Sequence, residues 1–234
     1  MSSVISPSDY LANVESDVHG EFVDFAGDRY YAIRNVEKMA PFFVSVISAD
    51  DHWLFVSSTG GLTAGRVSPD TALFPYETVD RLHLSINNTG PKTIVRVQDA
   101  GQQLCWEPFN TEQLHRYAIR RNIYKNTLGN KLCFEEINVD LGMAFRYTWS
   151  TSEEFGFVRD CELENMSAGA MRVDVLDGLQ NVLPAGTPRF TQTNSSNLVN
   201  AYKWAEIDDS TGLAFLALFS GITDRAEPCE SLKA

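Results

Sequence analysis

The chain has few of the short motifs that identify catalytic or metal sites. None of its four cysteines forms a C-x-x-C pair, so neither a zinc knuckle nor a dithiol redox site is predicted. Its four histidines show no metal-binding spacing, and a G-x-S-x-G nucleophile elbow is absent. We therefore assign no catalytic residue, no metal ligand and no cofactor from the sequence.

Positive charge is also scarce, and long apolar runs are missing. The chain contains 31 Asp and Glu residues against 19 Lys and Arg residues, which gives a net charge of −12. Because nucleic-acid binding depends on cations that neutralise phosphates, we expect no nucleic-acid partner. No stretch approaches the ~18–20 apolar residues that span a bilayer, and the polar residues 1–9 do not resemble a secretory signal. We expect a cytoplasmic protein without a membrane partner.

The apolar content is sufficient for a sizeable core. Hydrophobic residues make up 44% of the chain and aromatic residues 11%, which favours a folded domain over a disordered one. Cys133 and Cys161 lie in apolar runs, where a buried reduced thiol is the usual occupant. No linker rich in Pro, Gly or Ser divides the sequence, so a single domain is predicted over residues 1–234.

Alternation of apolar and polar residues is the main structural signal. Phe145, Tyr147 and Trp149 alternate with smaller or polar residues, which places the large side chains on one face of a strand. Such runs without βαβ units predict a mainly β fold, an antiparallel β-sandwich with few short helices. The predicted strands are residues 29–34, 42–48, 53–57, 81–87, 93–98, 117–124, 131–137, 144–149, 157–163, 171–175 and 213–219.

The segments between these runs carry turn and helix signals. Residues 88–91 and 165–169 contain the Asn and Gly residues typical of hairpin turns, and Asp50-Asp51 indicates a third turn. Short helices are predicted at residues 8–14 and 197–206. Residues 60–76 form the longest stretch without a clear strand pattern, which favours a long loop with a functional or interface role.

A glycine-rich segment at residues 60–67 superficially resembles a phosphate-binding loop. Arg66 and Val67 stand where that motif needs Lys and Ser or Thr, so a nucleotide site is not predicted. One reading is a glycine-enabled loop between strands. The other makes Arg66 a ligand for an anionic or hydroxyl-rich molecule.

The four tryptophans are candidates for sugar contact, because flat aromatic faces stack on pyranose rings. Trp149 lies in an alternating run and is expected in the core, as large aromatic residues of sandwiches usually are. Trp106 is expected to be exposed at a loop, where it would bind a ligand or a partner, and Trp204 is the other candidate. The carboxylates show no spacing that selects the pair needed for glycoside hydrolysis.

Several blocks of sequence resemble a known family. Residues 156–167, which continue to 173–178, are similar to strand–Asn-x-Ser/Thr–strand units in the N-terminal supersandwich of cellobiose-phosphorylase-like proteins, glycoside hydrolase family 94 and relatives. Further blocks resemble the amino-terminal region of large uncharacterised bacterial proteins that are often labelled in this way. These blocks are residues 60–66, 73–77, 122–126, 134–138 and 177–184, and together they cover most of residues 30–234.

The resemblance implies a galactose-mutarotase-like sandwich that precedes a helical (α/α) toroid in the same protein. In the family the toroid carries the catalytic acid and the phosphate site, while the sandwich packs on it and often on a partner subunit. Nothing in this sequence resembles the toroid, and no catalytic residue of the family can be carried over. We therefore expect a non-catalytic domain of a carbohydrate-processing enzyme, with residues 60–76 as its candidate contact and a homo-oligomer as its expected assembly.

Two alternatives remain open at this point. The chain could be a stand-alone carbohydrate-binding module that holds glycans through Trp106 or Trp204. It could instead be a mutarotase-like epimerase, which would require His83 or His115 beside a carboxylate in a cleft.

Overall fold

The computed structural model describes residues 17–25, 27–99, 102–218 and 232–233. Over these residues the chain is mainly β with antiparallel strand pairs and few short helices, as the sequence predicted, and the arrangement is consistent with a β-sandwich. The strands are β1 His19–Phe25, β2 Asp28–Arg34, β3 Phe43–Val46, β4 His52–Ser57, β5 Leu62–Arg66, β6 Ala72–Phe74, β7 Gly90–Asp99, β8 Gln102–Trp106, β9 Ile119–Asn126, β10 Leu132–Asn138, β11 Met143–Ser152, β12 Gly156–Asn165, β13 Arg172–Gln180, β14 Lys203–Asp208, β15 Leu213–Leu218 and β16 Leu232–Lys233. The α-helices are α1 Val79–Leu84, α2 Arg189–Asn194 and α3 Ser196–Tyr202, and single 3₁₀ turns cover Val36–Lys38, Pro69–Thr71, Ser85–Asn87 and Thr111–His115.

The chain divides into two compact units. Within the described residues, the first unit comprises 17–42 and 92–178, and the second comprises 43–91 and 179–218 with 232–233. The sequence predicted one domain, and that remains a prediction. The helix predicted at residues 8–14 lies outside the described residues.

The first unit contains two sheets that pack on each other. A six-stranded sheet has the order β1-β2-β9-β10-β11-β12, and a three-stranded sheet has the order β13-β7-β8. Phe145, Tyr147 and Trp149 are buried on one face of β11, as their alternation predicted. The ring of Phe109 packs edge-on against Phe134 and Tyr147. Large aromatic side chains therefore fill the interior of this unit.

An ion pair joins the two sheets of the first unit. The Arg159 guanidinium on β12 donates to both carboxylate oxygens of Asp177 on β13, at 2.8 and 2.9 Å. Thr93 on β7 also donates to Asp177. Burial alone would raise the pKa of the Asp177 carboxyl. The hydrogen bonds from Arg159 and Thr93 outweigh burial, so the pKa is lowered.

Asp177→Asn should remove part of the acid sensitivity of the fold. A carboxyl with a lowered folded-state pKa stabilises the fold above its unfolded pKa of about 3.9, and loses that contribution as the pH falls through its folded value. We expect Asp177→Asn to be less stable than the parent to urea at pH 7, with a difference that shrinks below about pH 4. Asp24→Asn, which changes an exposed carboxylate, is the matched control. A difference that does not vary with pH would contradict this role.

The second unit is built on a four-stranded sheet of order β3-β4-β5-β6 and a three-stranded sheet of order β14-β15-β16. A buried cluster contains Ala72 of β6, Val199 of α3 and Leu218 of β15, together with Leu183. Trp53 of β4 packs against this cluster and is itself partly buried. The helices α2 and α3 contact each other.

The strand predicted at residues 81–87 is wrong, because this segment is helical. It forms the end of α1 and the following 3₁₀ turn. Leu84, which alternation placed on the buried face, is 81% exposed, whereas Leu82 and Ile86 are buried. Leu82 and Ile86 are four residues apart and therefore share one side of a helical path, so a helical period also fits the sequence.

The long loop predicted at residues 60–76 is also wrong. This segment contains β5, which pairs with β4, then a 3₁₀ turn, and then β6, which pairs with β5. Gly61 is one reason why the loop prediction failed. A Cβ at this position would lie 2.3 Å from the Leu82 carbonyl oxygen and 2.5 Å from Ser85 Oγ, so the glycine is needed for close packing. The glycines of this segment permit close packing rather than loop flexibility.

Gly61→Ala should destabilise the second unit by about 1–3 kcal/mol, the usual cost of overpacking a tight contact. The added methyl group would collide with backbone and side-chain atoms near the end of α1. Urea unfolding of the variant tests this, with Gly169→Ala as the control, since a Cβ at Gly169 meets nothing within 4 Å. Equal stability of the two variants would show that the contact is not tight.

Smaller corrections concern turns and strand ends. The turn predicted at 88–91 follows the 3₁₀ turn and leads into β7, and the one at 165–169 connects strands of different sheets rather than a hairpin. The turn between β3 and β4 is confirmed. Val175 is exposed, so β13 lacks the single buried face that alternation suggested. The helix predicted at 197–206 ends at Tyr202, and β14 follows.

Candidate functional site

The second unit contains a cavity of about 450 Å³. Its walls come from the residues after β6, from the start of α1, from the segment after β13 and from α2 and α3. The lining is mostly polar and cationic, and consists of Pro75, Tyr76, Glu77, Thr78, Arg81, Asn181, Leu183, Arg189, Gln192, Thr193, Ser196, Val199, Asn200 and Lys203. The volume of the cavity lies within the range of about 300–1,000 Å³ that is typical of small-ligand pockets, whereas its polar lining differs from the mainly apolar lining that such pockets usually have.

Hydrogen bonds hold α2 against the β5–β6 connection and so shape the cavity. Gln192 donates from Nε2 to the carbonyl oxygens of Thr187 and Pro69, at 2.8 and 3.3 Å. Its Oε1 accepts from the backbone N–H of Tyr76 at 3.1 Å. Asp70 accepts from the backbone N–H of Arg189 at 2.8 Å. Three of these four contacts, all except the one to Thr187, join segments more than a hundred residues apart in the sequence.

Four aromatic rings form a continuous strip in the same unit. This aromatic strip consists of Phe43, Phe55, Trp53 and Tyr76, whose successive ring centroids are 5.3, 5.9 and 5.8 Å apart. Phe43 is 48% exposed and Tyr76 is 39% exposed. The strip therefore presents aromatic surface to solvent at both of its ends.

The pairing of β3, β4 and β5 produces the strip. Trp53 and Phe55 are two residues apart on β4 and lie on one face, and Phe43 reaches that face from β3. Gly65 lies opposite Trp53 on β5, and a Cβ there would be 2.5 Å from the indole ring. The missing side chain leaves the space that the indole occupies.

Tyr76 belongs to both the strip and the cavity. Its ring contacts Trp53 edge-on, and it lines the cavity. The Arg189 guanidinium lies 5.6 Å from the centroid of the same ring, within the range of a cation–π interaction. The aromatic strip thus ends in the wall of a polar cavity.

The charged lining is mainly positive. Arg81, Arg189 and Lys203 face a single carboxylate among the described lining residues, Glu77, which is 3.8 Å from Arg81. Glycoside hydrolysis needs two carboxyl groups on opposite sides of a glycosidic bond. Among its described residues, the lining supplies one.

Two adjacent glutamates in the first unit are buried, and both have partners. Glu136 is 1% exposed and accepts from Trp106 Nε1, the Phe109 backbone N–H and Arg121 Nε, at 2.8, 2.8 and 2.7 Å. Burial raises the pKa of the Glu136 carboxyl, and the nearby Arg121 guanidinium opposes that shift.

Glu135 points to the opposite face of β10 and is equally buried. It accepts from Tyr124 Oη and Arg146 Nε, both at 2.6 Å, and from the Asn122 amide. With their oxygens already bonded, Glu135 and Glu136 are structural carboxylates of the first unit.

Arg66 ends β5, where it is exposed and bound to Asp51. Its Nε and one terminal nitrogen donate to the two carboxylate oxygens of Asp51, at 2.8 and 3.1 Å. The hydrogen bond from Arg66 lowers the pKa of Asp51. Arg66 does not line the cavity, and its ligand role remains a prediction.

The two tryptophan candidates differ from expectation in their surroundings. Trp106 is fully buried at the end of β8, so its predicted exposure is wrong. The strand runs through Trp106, and its indole N–H binds the buried Glu136 instead of facing solvent. Trp204 lies partly buried on β14 and does not line the cavity. We include neither tryptophan in the candidate site.

The histidines of the epimerase alternative do not line the cavity. His83 lies on α1, with its Nδ1 2.8 Å from Ser57 Oγ, and His115 lies in a 3₁₀ turn of the first unit. A second cavity, of about 330 Å³ in the first unit, has carboxylates from Asp160 and Glu162 in its wall but no histidine among the lining residues that the structure describes. The epimerase therefore gains no support from either cavity.

The three described cysteines, Cys105, Cys133 and Cys161, form no disulfide with one another. Burial raises the pKa of the Cys133 thiol to about 12, as expected for a buried thiol. Cys161 is exposed, so its predicted burial is wrong, and Cys229 lies outside the described residues.

The described part of the chain has no group of three or more potential metal ligands. No helix within it has the length and apolar character to cross a bilayer.

Comparison with known proteins leaves the family open. No model of a known protein family matches the chain, and no curated protein matches it. The resemblance to the cellobiose-phosphorylase-like supersandwich therefore stays a hypothesis.

The sequence pointed to only part of this site. Trp53 was among its four tryptophan candidates, and residues 73–77, which include Tyr76, entered only as one of the blocks that resemble a known family. It gave no signal for Phe43, Arg189 or Lys203, because their roles depend on strand pairing and on helices at the far end of the chain.

Proposed function

We propose that the chain is a non-catalytic β domain of a carbohydrate-processing protein, and that the aromatic strip and its cavity are where the domain contacts sugar. The observation that carries the proposal is the double role of Tyr76. This residue ends a row of aromatic faces and also forms the wall of a polar cavity.

Carbohydrate is the ligand class that fits this combination. The C–H face of a pyranose ring packs on an aromatic ring, and its hydroxyl groups need amide, hydroxyl and cationic partners. The cavity offers side-chain amides from Asn181, Gln192 and Asn200 and hydroxyls from Thr193 and Ser196. Both kinds of contact therefore meet at Tyr76.

A non-catalytic role agrees with the carboxylates of the described residues. The described part of the cavity lining has one carboxylate, and the buried Glu135 and Glu136 already accept hydrogen bonds from several donors. The catalytic chemistry of the parent protein would then belong to another domain, as the family resemblance implies.

Packing on another domain is supported by apolar surface on α2 and α3. Phe190, Leu198 and Tyr202 are exposed on these two short helices. Exposed apolar residues concentrated on neighbouring elements are typical of interaction surfaces. The expected occupant is a catalytic domain of the same protein, which is the helical toroid if the resemblance holds.

Titration calorimetry of the 234-residue chain against neutral and charged mono- and oligosaccharides tests the sugar contact. We expect at least one saccharide to bind with an affinity that depends on Tyr76. If no saccharide binds, or if binding is unchanged in Tyr76→Ala, the proposed contact is wrong.

The stand-alone binding module is the second candidate, and the same aromatic strip favours it. The reading frame downstream of the chain separates the two. Continuation into paired helices supports the accessory domain, whereas a stop codon after residue 234 together with retained sugar binding supports the module.

A further inference from the structure

The cavity carries positive charge in a protein that is strongly negative. The whole chain has a net charge of −12, yet the described residues of the lining include three cationic side chains and one carboxylate. A local charge opposite to that of the protein raises the local concentration of ligands of the opposite sign. Binding of a neutral sugar would not require this positive charge.

Two of these cations have no ion-pair partner among the described residues. They are Arg189 and Lys203, whereas Arg81 is paired with Glu77. Free cations at a small cavity are the groups that an anionic ligand would engage. Arginine is well suited, because its guanidinium binds phosphate and carboxylate groups through two parallel hydrogen bonds.

Arg189 places one of the positive charges of the cavity next to the aromatic strip. Its backbone N–H is fixed by Asp70, and its guanidinium lies 5.6 Å from the centroid of the Tyr76 ring. A sugar ring packed at Tyr76 would therefore carry its substituents next to this guanidinium. Lys203, at the start of β14, contributes a second cation to the same lining.

We infer that the cavity binds an anionic carbohydrate, a sugar that bears a phosphate or carboxylate group. The sugar ring packs at Tyr76, and the charged group binds Arg189 and Lys203. This inference rests on the proposed function, since it names the class of sugar that the same site takes.

Calorimetry at low ionic strength tests the charge requirement. The probes are glucose, galactose and mannose, their 6-phosphates, their uronates, and inorganic phosphate alone. We expect a charged sugar to bind at least about tenfold more tightly than its neutral parent and to weaken as salt is added. The stronger of the phosphate and uronate series identifies the charged group.

Matched variants assign the effect to the two cations. Arg189→Gln and Lys203→Gln should each weaken binding of the charged sugar about fivefold, with little effect on the neutral parent. Arg172→Gln removes an exposed arginine of the first unit and should change nothing. Urea unfolding of each variant identifies any loss of fold, and Lys203→Gln alone keeps the test valid if Arg189→Gln is unstable.

The outcomes separate this inference from the proposed function. Equal affinity for neutral and charged sugars would overturn the inference and leave the sugar site intact. Phosphate alone binding as tightly as the hexose phosphates would overturn it as well, because the sugar ring would then contribute nothing. If no sugar binds at all, both the inference and the proposed function fail.

Discussion

Replacing Arg121 with methionine should lower the free energy of unfolding by about 3–5 kcal/mol, the cost of leaving a buried charge without its partner. Arg121 Nε donates to Glu136 at 2.7 Å, and both side chains are almost completely removed from solvent. Without the guanidinium, Glu136 keeps only the indole N–H of Trp106 and the backbone N–H of Phe109. Urea unfolding at pH 7 measures the effect.

A second substitution separates lost charge from lost packing. Adding Glu136→Gln to Arg121→Met removes the unpaired carboxylate, so the double variant should be more stable than Arg121→Met alone. Arg116→Met, at an exposed position, is the control for the substitution itself. A cost below about 1 kcal/mol for Arg121→Met, the range of exposed ion pairs, would show that the pair does not behave as a buried one.

Tyr76→Ala should weaken sugar binding by about tenfold or more. Packing on an aromatic ring contributes roughly 0.5–1.5 kcal/mol beyond area burial, and each 1.4 kcal/mol is a factor of ten in affinity. The loss of affinity should exceed the contribution of ring packing alone, because removal of the Tyr76 ring also removes the surface on which the Arg189 guanidinium packs. Calorimetry with the tightest-binding saccharide gives the ratio.

The fold should survive this substitution. Tyr76 is 39% exposed, and its backbone N–H keeps its hydrogen bond to Gln192. Tyr76→Phe retains the ring and should bind almost as well as the parent, whereas Phe155→Ala removes an exposed ring of the first unit and should have no effect. If Tyr76→Phe and Tyr76→Ala lose affinity equally, the hydroxyl and not the aromatic face is the binding group.

The strands of the first unit were the most predictable part of the fold. On β11, large aromatic residues alternate strictly, so the buried face can be identified from local sequence. On β10, all seven residues are buried. Two of them are glutamates, so the local sequence does not show that the whole strand is buried. The strand was still predicted, but the burial of Glu135 and Glu136 depends on partners from β8, β9 and β11.

The errors fall where two readings of the same residues compete. Residues 81–87 fit both a period of two and a helical turn, and tertiary packing of Leu82 and Ile86 selects the helix. Residues 60–76 contain several glycines and prolines that indicate a loop, yet Gly61 and Gly65 serve close packing between strands. Local composition cannot distinguish a glycine that frees the backbone from one that makes room for a neighbour.

The candidate site could not have been derived from the sequence. Phe43 and Phe55 become neighbours through the pairing of β3 with β4, and Arg189 reaches Tyr76 across more than a hundred residues of chain. Trp106, the aromatic residue that local sequence favoured for exposure, is instead fully buried, and its indole N–H donates to Glu136. Exposure is a property of the assembled sheets rather than of the segment.

Two-dimensional amide NMR of the chain during titration with the tightest-binding saccharide locates the bound sugar on the protein. We expect saturable shift changes concentrated at Trp53, Tyr76 and Gln192 and in α2, with the β10 amides unchanged. Shift changes centred on β10, or on Arg66 and Trp204, would place the sugar elsewhere and contradict a sugar site at Tyr76.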